Sequence, residues 1–244
     1  MRVLVTGDKG YIGSVLVPML VEERYEVVGF DVGFFNENKL CESFEDYEQI
    51  NCDIRDVNES HFKGINAVIH LAGLSNDPLG ELSRDITFEI NYKATINLAK
   101  LAKLSGVSKF IYSSSQSMYG VSTTTDLLDE YSSKKNPVTA YAEAKWLAEQ
   151  ELNELGDDKF TVVAFRPSTV FGPSPRLRTD IVFNNLVACA YTTSNIEIKS
   201  DGTPWRPIVH IRDVCNAFIS GLKAPSKLIN FKSYNVGILN GNYT

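Results

Sequence analysis

Short apolar runs alternate along the chain with longer stretches whose apolar residues recur at helical spacing. The runs are Val3-Leu4-Val5, Val27-Val28-Gly29-Phe30, Ala67-Val68-Ile69-His70-Leu71-Ala72, Phe110-Ile111-Tyr112 and Thr161-Val162-Val163-Ala164-Phe165. They lack polar alternation, as strands covered on both faces do. Helices are predicted over about residues 11–23, 84–104 and 139–155. The second carries Ile90, Ala94, Leu98, Leu101 and Ala102 on one face, and the third Ala144, Leu147, Ala148, Leu152 and Leu155. Strand and helix in alternation predict an α/β fold on a parallel, doubly wound sheet of the Rossmann type.

Past Arg166 the pattern breaks at Pro167, Gly172, Pro173 and Pro175. A helix over about 180–192, a short strand at Ile196-Glu197-Ile198 and a helix over about 212–223 are predicted there. This part is expected to fold over the carboxyl edge of the sheet, where open α/β folds bind ligands. The expected division is a dinucleotide-binding unit, 1–166, and a small substrate lobe, 167–244, interleaved with strands returning to the sheet.

Composition narrows the class. The 244 residues are 43% hydrophobic and 22% charged, which excludes disordered and fibrous chains. Twenty-four basic against 30 acidic residues give a net charge of -6 and argue against a nucleic-acid partner. Cys41, Cys52, Cys189 and Cys215, like His61, His70 and His210, are too scattered for a structural zinc site, and no metal is expected. No run of 18 apolar residues predicts a membrane span. Strand-like Arg2-Val3-Leu4-Val5 stands where an export signal would begin, so the expected location is the cytoplasm.

The first strand runs into Gly7-Asp8-Lys9-Gly10-Tyr11-Ile12-Gly13, with a helix following. Between strand and helix, such glycines allow a tight turn and close approach of a pyrophosphate to the helix N-terminus. Asp31 ends the second strand, where a carboxylate accepts from both ribose hydroxyls and repels a 2′-phosphate. NAD is therefore favoured over NADP. Asp53 follows the third strand and is either an acceptor for the adenine amino group or an ordinary turn residue. Leu71-Ala72-Gly73 follows the fourth strand, small enough to lie against a cofactor.

Tyr141 and Lys145 stand four apart on the third predicted helix and share one face. Ser115 is expected to end the fifth strand, at the same sheet edge. In this order, behind the Gly-rich turn, the chain resembles the extended short-chain dehydrogenase/reductase family, in its NAD-dependent nucleotide-sugar epimerase/dehydratase branch. The resemblance rests on Gly7, Gly10 and Gly13, Asp31, Asp53, His70-Leu71-Ala72-Gly73, Asn91, Ser115, Tyr141-x-x-x-Lys145, Arg166-Pro167 and the Gly202 to Asp213 segment.

The resemblance implies Tyr141 as acid/base on a sugar hydroxyl, with Ser115 and Lys145 completing the catalytic set. A free phenol titrates near 10, so a nearby ammonium is needed to favour phenolate. It implies further cofactor contacts from Tyr11, Ile12, Ile54, Asn91, Ser113, Pro167 and Val170; Asn91 could equally be a helix cap. For the substrate, a nucleotide-diphosphate sugar, it implies Ser115, Gln116, Asn184, Asn185 and Arg206. Arg176, Arg178 and Arg206 form a basic cluster suited to a diphosphate, or else surface charges paired with Asp180 and Asp201.

Gln116 and Ser117 stand where the family's 4,6-dehydratases carry an Asp-Glu pair, and neither titrates usefully. A 4-epimerase acting through a transient 4-keto sugar is therefore the expected activity. The alternatives are a NAD(P)-dependent keto-reductase or dehydrogenase, and a non-catalytic dinucleotide-binding regulator. A homodimer is also implied, packed through the helices at about 84–104 and 139–155. The chain stops at Thr244, where the family's lobe continues, so the lobe is expected to be cut short.

Overall fold

The computed structural model describes residues 1–37, 39–75, 77–121, 127–198, 201–203, 205–239 and 241–243. Pro204, within the predicted substrate segment, lies outside them.

Seven parallel strands form the main sheet. In chain order they are β1 (Arg2–Thr6), β2 (Glu26–Asp31), β3 (Glu48–Asn51), β4 (Ala67–His70), β5 (Lys109–Ser113), β6 (Thr161–Pro167) and, after two strands that leave the sheet, β9 (Lys232–Val236). Their spatial order is β3-β2-β1-β4-β5-β6-β9. β1 is flanked by β2 and β4, so the chain reverses direction across the sheet there. That reversal opens a crevice at the carboxyl ends of the strands.

The unbroken apolar runs are explained by the two faces. Val3, Val5, Val27, Ile69, Ile111 and Val163 pack against α1 (Gly13–Glu22) and the later helix α7 (Ile211–Lys223). Their neighbours Leu4, Val28, Val68, Phe110 and Val162 point the other way, into Leu98, Ala102, Ala148 and Leu152. Each strand thus buries alternate side chains in opposite layers, and both faces are apolar along the middle of the strands.

The 84–104 stretch is helical but not uniform. After the short α2 (Asp77–Leu82), α3 (Arg84–Phe88) passes through a π-turn, Glu89–Ala94, into α4 (Thr95–Leu104). Such a bulge is a frequent mark of a functional site, and it re-aims Asn91 towards the β4 loop. The helix α5 (Ala140–Leu155) starts at Thr139, whose side chain accepts from Ala142 N–H at 3.2 Å. Its buried face carries Ala144, Ala148 and Leu152, and also Lys145.

Beyond β6 the chain forms β7 (Thr169–Phe171), α6 (Val182–Thr193) and β8 (Arg206–His210). After α7 come the short α8 (Ser226–Ile229) and then β9, and β10 (Asn242–Tyr243) joins β8 and β7 in a three-stranded sheet. The strand expected at Ile196–Ile198 does not form. Ser194 ends α6 with φ 58°, and Ile196 and Ile198 remain exposed without a ladder partner. β8 takes the place beside β7 instead.

Candidate active site

A cavity of about 620 Å³ lies in the crevice, within the usual range for ligand sites. One end is built by the Gly-rich turn. Gly7 has φ 74°, and a Cβ there would lie 2.7 Å from Ala72 N. A Cβ on Gly13 would collide with Gly7 O and the Asp8 backbone. Gly7 is therefore required by close backbone packing between the ends of β1 and β4, and Gly13 by close packing within the turn. Phe34, Phe35, Asp31, Asp53 and Ile54 surround the same end. Asp31 accepts the Gly33 N–H at 2.7 Å. Asp53 takes both the turn role and an ion pair: it caps a 3-10 turn and its carboxylate is forked by Arg55.

A buried polar relay holds this end together. Ala72 N–H donates to Thr6 Oγ1 (3.2 Å), which lies 2.6 Å from His70 Nδ1. His70 Nε2 lies 2.8 Å from Thr95 Oγ1, which donates to Asn91 O (3.1 Å). The directions fit one tautomer, with the proton on Nε2. Burial pushes His70 down to about 3, so it stays neutral. Asn91 does not line the cavity. Its amide accepts from Leu74 N–H (2.7 Å) and donates to Leu74 O (2.9 Å), fixing the loop after β4. It is neither a cap nor a direct wall residue.

At the other end stand Tyr141, Lys145, Ser113 and Ser115. Lys145 is 5% exposed; its Nζ donates to Ser113 O at 2.8 Å and sits 4.8 Å from the Tyr112 ring centroid. Burial lowers its pKa to about 8, so the ammonium persists at neutral pH. β5 ends at Ser113, earlier than expected, and Ser115 caps a 3-10 turn over Gln116–Tyr119. Its Oγ accepts from Ser117 N–H (3.1 Å) and donates to Ser117 Oγ (2.9 Å). Ser117 also lines the cavity, whereas Gln116 turns away and donates to Arg166 O at 3.2 Å. Ser114 and Ser168 border the space with buried hydroxyls that have no partner among the described residues.

The substrate segment forms the third wall. Pro167, Val170, Arg176, Arg178 and Arg206 line the cavity. Arg178 forks Asp180 and also donates to Ser75 Oγ at 3.0 Å. Asn184 and Asn185 lie off the wall. Asn184 is buried and accepts from Gly172 N–H (3.1 Å) while donating to Tyr11 Oη (3.1 Å). Asn185 donates to Thr179 O. The sequence reading missed Phe34, Phe35 and Ser75. Two adjacent phenylalanines just after the acid that ends β2 were the available signal.

A Gly-rich turn at a switch point, a terminal acid on β2 and a buried Lys beside Tyr and Ser define a Rossmann-type protein built for a nicotinamide dinucleotide. The glycine cradle and the unpaired hydroxyls fit such a group. The chain belongs to the NAD dependent epimerase/dehydratase family, whose model matches residues 3–237, and its cofactor is NAD. It is 30% identical over 234 residues to a UDP-glucose 4-epimerase of Mycolicibacterium smegmatis, covering 90% of this chain and 72% of that one. It is 29% identical over 249 residues to human dTDP-D-glucose 4,6-dehydratase, covering 97% and 69%. A Bacillus cereus UDP-glucuronic acid 4-epimerase, solved with UDP-glucuronic acid and NAD, superposes with TM-score 0.83 at 26% identity, covering 98% and 78%. Among the described residues no helix is long and apolar enough to cross a membrane, and no cluster of His, Cys, Asp or Glu could hold a metal.

Proposed function

We propose that the protein is a 4-epimerase of a nucleotide-diphosphate sugar. The observation that carries this reading is the pair at 116 and 117. Ser117 borders the cavity as a hydroxyl and Gln116 is turned into the sheet edge. Neither offers the second acid or base that expulsion of a ring substituent needs.

When bound, NAD supplies a reversible hydride acceptor. Tyr141 would take the proton of the 4-hydroxyl while NAD accepted the C4 hydride, leaving a 4-keto sugar. With NAD held there, its return of the hydride to the other face of the turned sugar would complete the inversion, and Tyr141 would give the proton back. Ser115 holds the reacting oxygen, with Ser117 orienting its hydroxyl. Lys145, buried and charged, favours the phenolate. Arg206 and Arg178 bind the sugar-nucleotide end. Two copies pair through the outer faces of α4 and α5, and the enzyme works in the cytoplasm.

The test is incubation with UDP-, dTDP- and GDP-sugars, followed by NMR of the products. Interconversion of two C4 epimers without net consumption of cofactor is expected. Tyr141→Phe should lower that rate by about 10²–10⁴-fold. Stoichiometric consumption of reduced cofactor would replace this reading with a keto-reductase. No turnover of any sugar, with NAD still bound, would replace it with a regulator.

A further inference from the structure

Arg176 belongs to the substrate segment yet stands at the dinucleotide end. Its guanidinium carbon lies 4.1 Å from the centroid of Phe35, in the loop between β2 and β3. Three contacts hold it there. Arg176 N–H donates to Ser174 Oγ at 3.2 Å. Ser174 Oγ donates to Tyr11 O at 2.8 Å, inside the Gly-rich turn itself. Leu40 N–H donates to Pro175 O at 2.9 Å, tying the β2–β3 loop to the same stretch. The cation is thereby drawn away from the sugar end and laid beside the turn.

Its donors are not satisfied. Nη1 reaches Leu177 O at 3.2 Å, and Nε is buried with no partner among the described residues. The acids on the cavity wall are engaged elsewhere: Asp180 with Arg178, Asp53 with Arg55, and Asp31 with Gly33 N–H. Arg176 is only partly buried and lines the cavity, so its guanidinium can meet an anion held there. Planar donors suit a diphosphate, and stacking on Phe35 fixes the plane.

We propose that Arg176 binds the diphosphate of NAD, and that Phe35 and Arg176 together form a clasp retaining the cofactor. Arg178 and Arg206 are left to the sugar nucleotide. The inference rests on the NAD site and not on the identity of the sugar. An enzyme that must return the hydride it removed gains from such retention, because cofactor lost in mid-turnover strands the keto sugar.

The experiment is calorimetric titration of cofactor-free protein with NAD, ADP-ribose and UDP, on wild type, Arg176→Gln and Phe35→Leu. Thermal unfolding of the unliganded proteins controls for folding. Arg176→Gln should weaken NAD and ADP-ribose equally, by about tenfold, and should flatten the salt dependence of NAD binding. UDP affinity should not move. Phe35→Leu should weaken NAD about threefold, since it removes the stack and leaves the charge. Unchanged NAD affinity in Arg176→Gln would overturn the proposal. So would a matching loss of UDP affinity, which would assign Arg176 to the substrate. Should the Gln variant not fold, Phe35→Leu carries the test: weaker NAD with constant UDP supports the clasp, and constant NAD overturns it.

Discussion

Asp8 sits inside the Gly-rich turn but faces away from the cofactor. It is 1% exposed and packs over Gly29, where any Cβ would collide with its carboxyl. Oδ2 accepts from Tyr47 Oη at 2.7 Å, while Oδ1 is buried without a partner among the described residues. Burial, helped by nearby Asp31 and opposed by the Tyr47 bond, raises its pKa to about 6. In the unfolded chain it would titrate near 3.9. The folded state therefore holds the proton more tightly, and stability falls as pH rises between those two values. The full penalty above pH 6 is about 3 kcal/mol, of which roughly 1 kcal/mol is already present at pH 4.5. Asp8→Asn removes the titration and keeps an acceptor for Tyr47. Relative to wild type, it should gain about 2 kcal/mol more at pH 8 than at pH 4.5. In a chain of this size that is about 4–8 °C in Tm. The assay is thermal unfolding of cofactor-free protein at both pH values. Comparing the gap between the two proteins cancels any constant packing change. A gap that does not vary with pH would refute the assignment of this titration to Asp8.

Three other outcomes are expected. Gly7→Ala would press a methyl against Ala72 at a positive φ, so NAD binding measured by calorimetry should be lost, and affinity within twofold of wild type would contradict the cradle. Arg166 and Glu149 are 3% and 1% exposed and joined at 2.5 Å. Arg166→Met should cost about 3–5 kcal/mol, visible in denaturant unfolding; a loss below about 1 kcal/mol would mean the carboxylate finds another partner. Lys145 loses its proton as pH rises through about 8, so turnover that depends on its charge should decline on that alkaline limb, and a rate flat to pH 10 would remove the ammonium from the chemistry.

The dinucleotide end was largely legible in the sequence, because its requirements are local. Gly13 is dictated by backbone approach within one strand–turn–helix unit, Gly7 matches the turn spacing although the backbone it must clear, at Ala72, comes from β4, and Tyr141 and Lys145 share a face through helical spacing alone. The asparagines were less legible. Asn91 looked like a helix cap or a cofactor contact, but it sits in a π-turn that residue spacing does not announce, and its amide is spent on Leu74. Asn184 looked like a diphosphate ligand. Its amide is instead spent on Tyr11 and Gly172, which lie 173 and 12 residues away in the chain. Ile196–Ile198 has strand composition, yet a strand needs a neighbour, and β8 holds that place.

Those same long-range bonds tie the 172–184 stretch to the Gly-rich turn. Asn184 and Ser174 both fasten residues of the 172–184 stretch to Tyr11, and Ser14 Oγ lies 2.9 Å from Ser174 Oγ. The Gly-rich turn and the 172–184 stretch are thus one hydrogen-bonded body. Under the proposed function, cofactor affinity and substrate affinity should therefore be coupled in this protein. Tyr11 Oη, which meets both Gly172 O and the Asn184 amide, is where that coupling is concentrated: Tyr11→Phe leaves the ring in place and cuts both bonds at once.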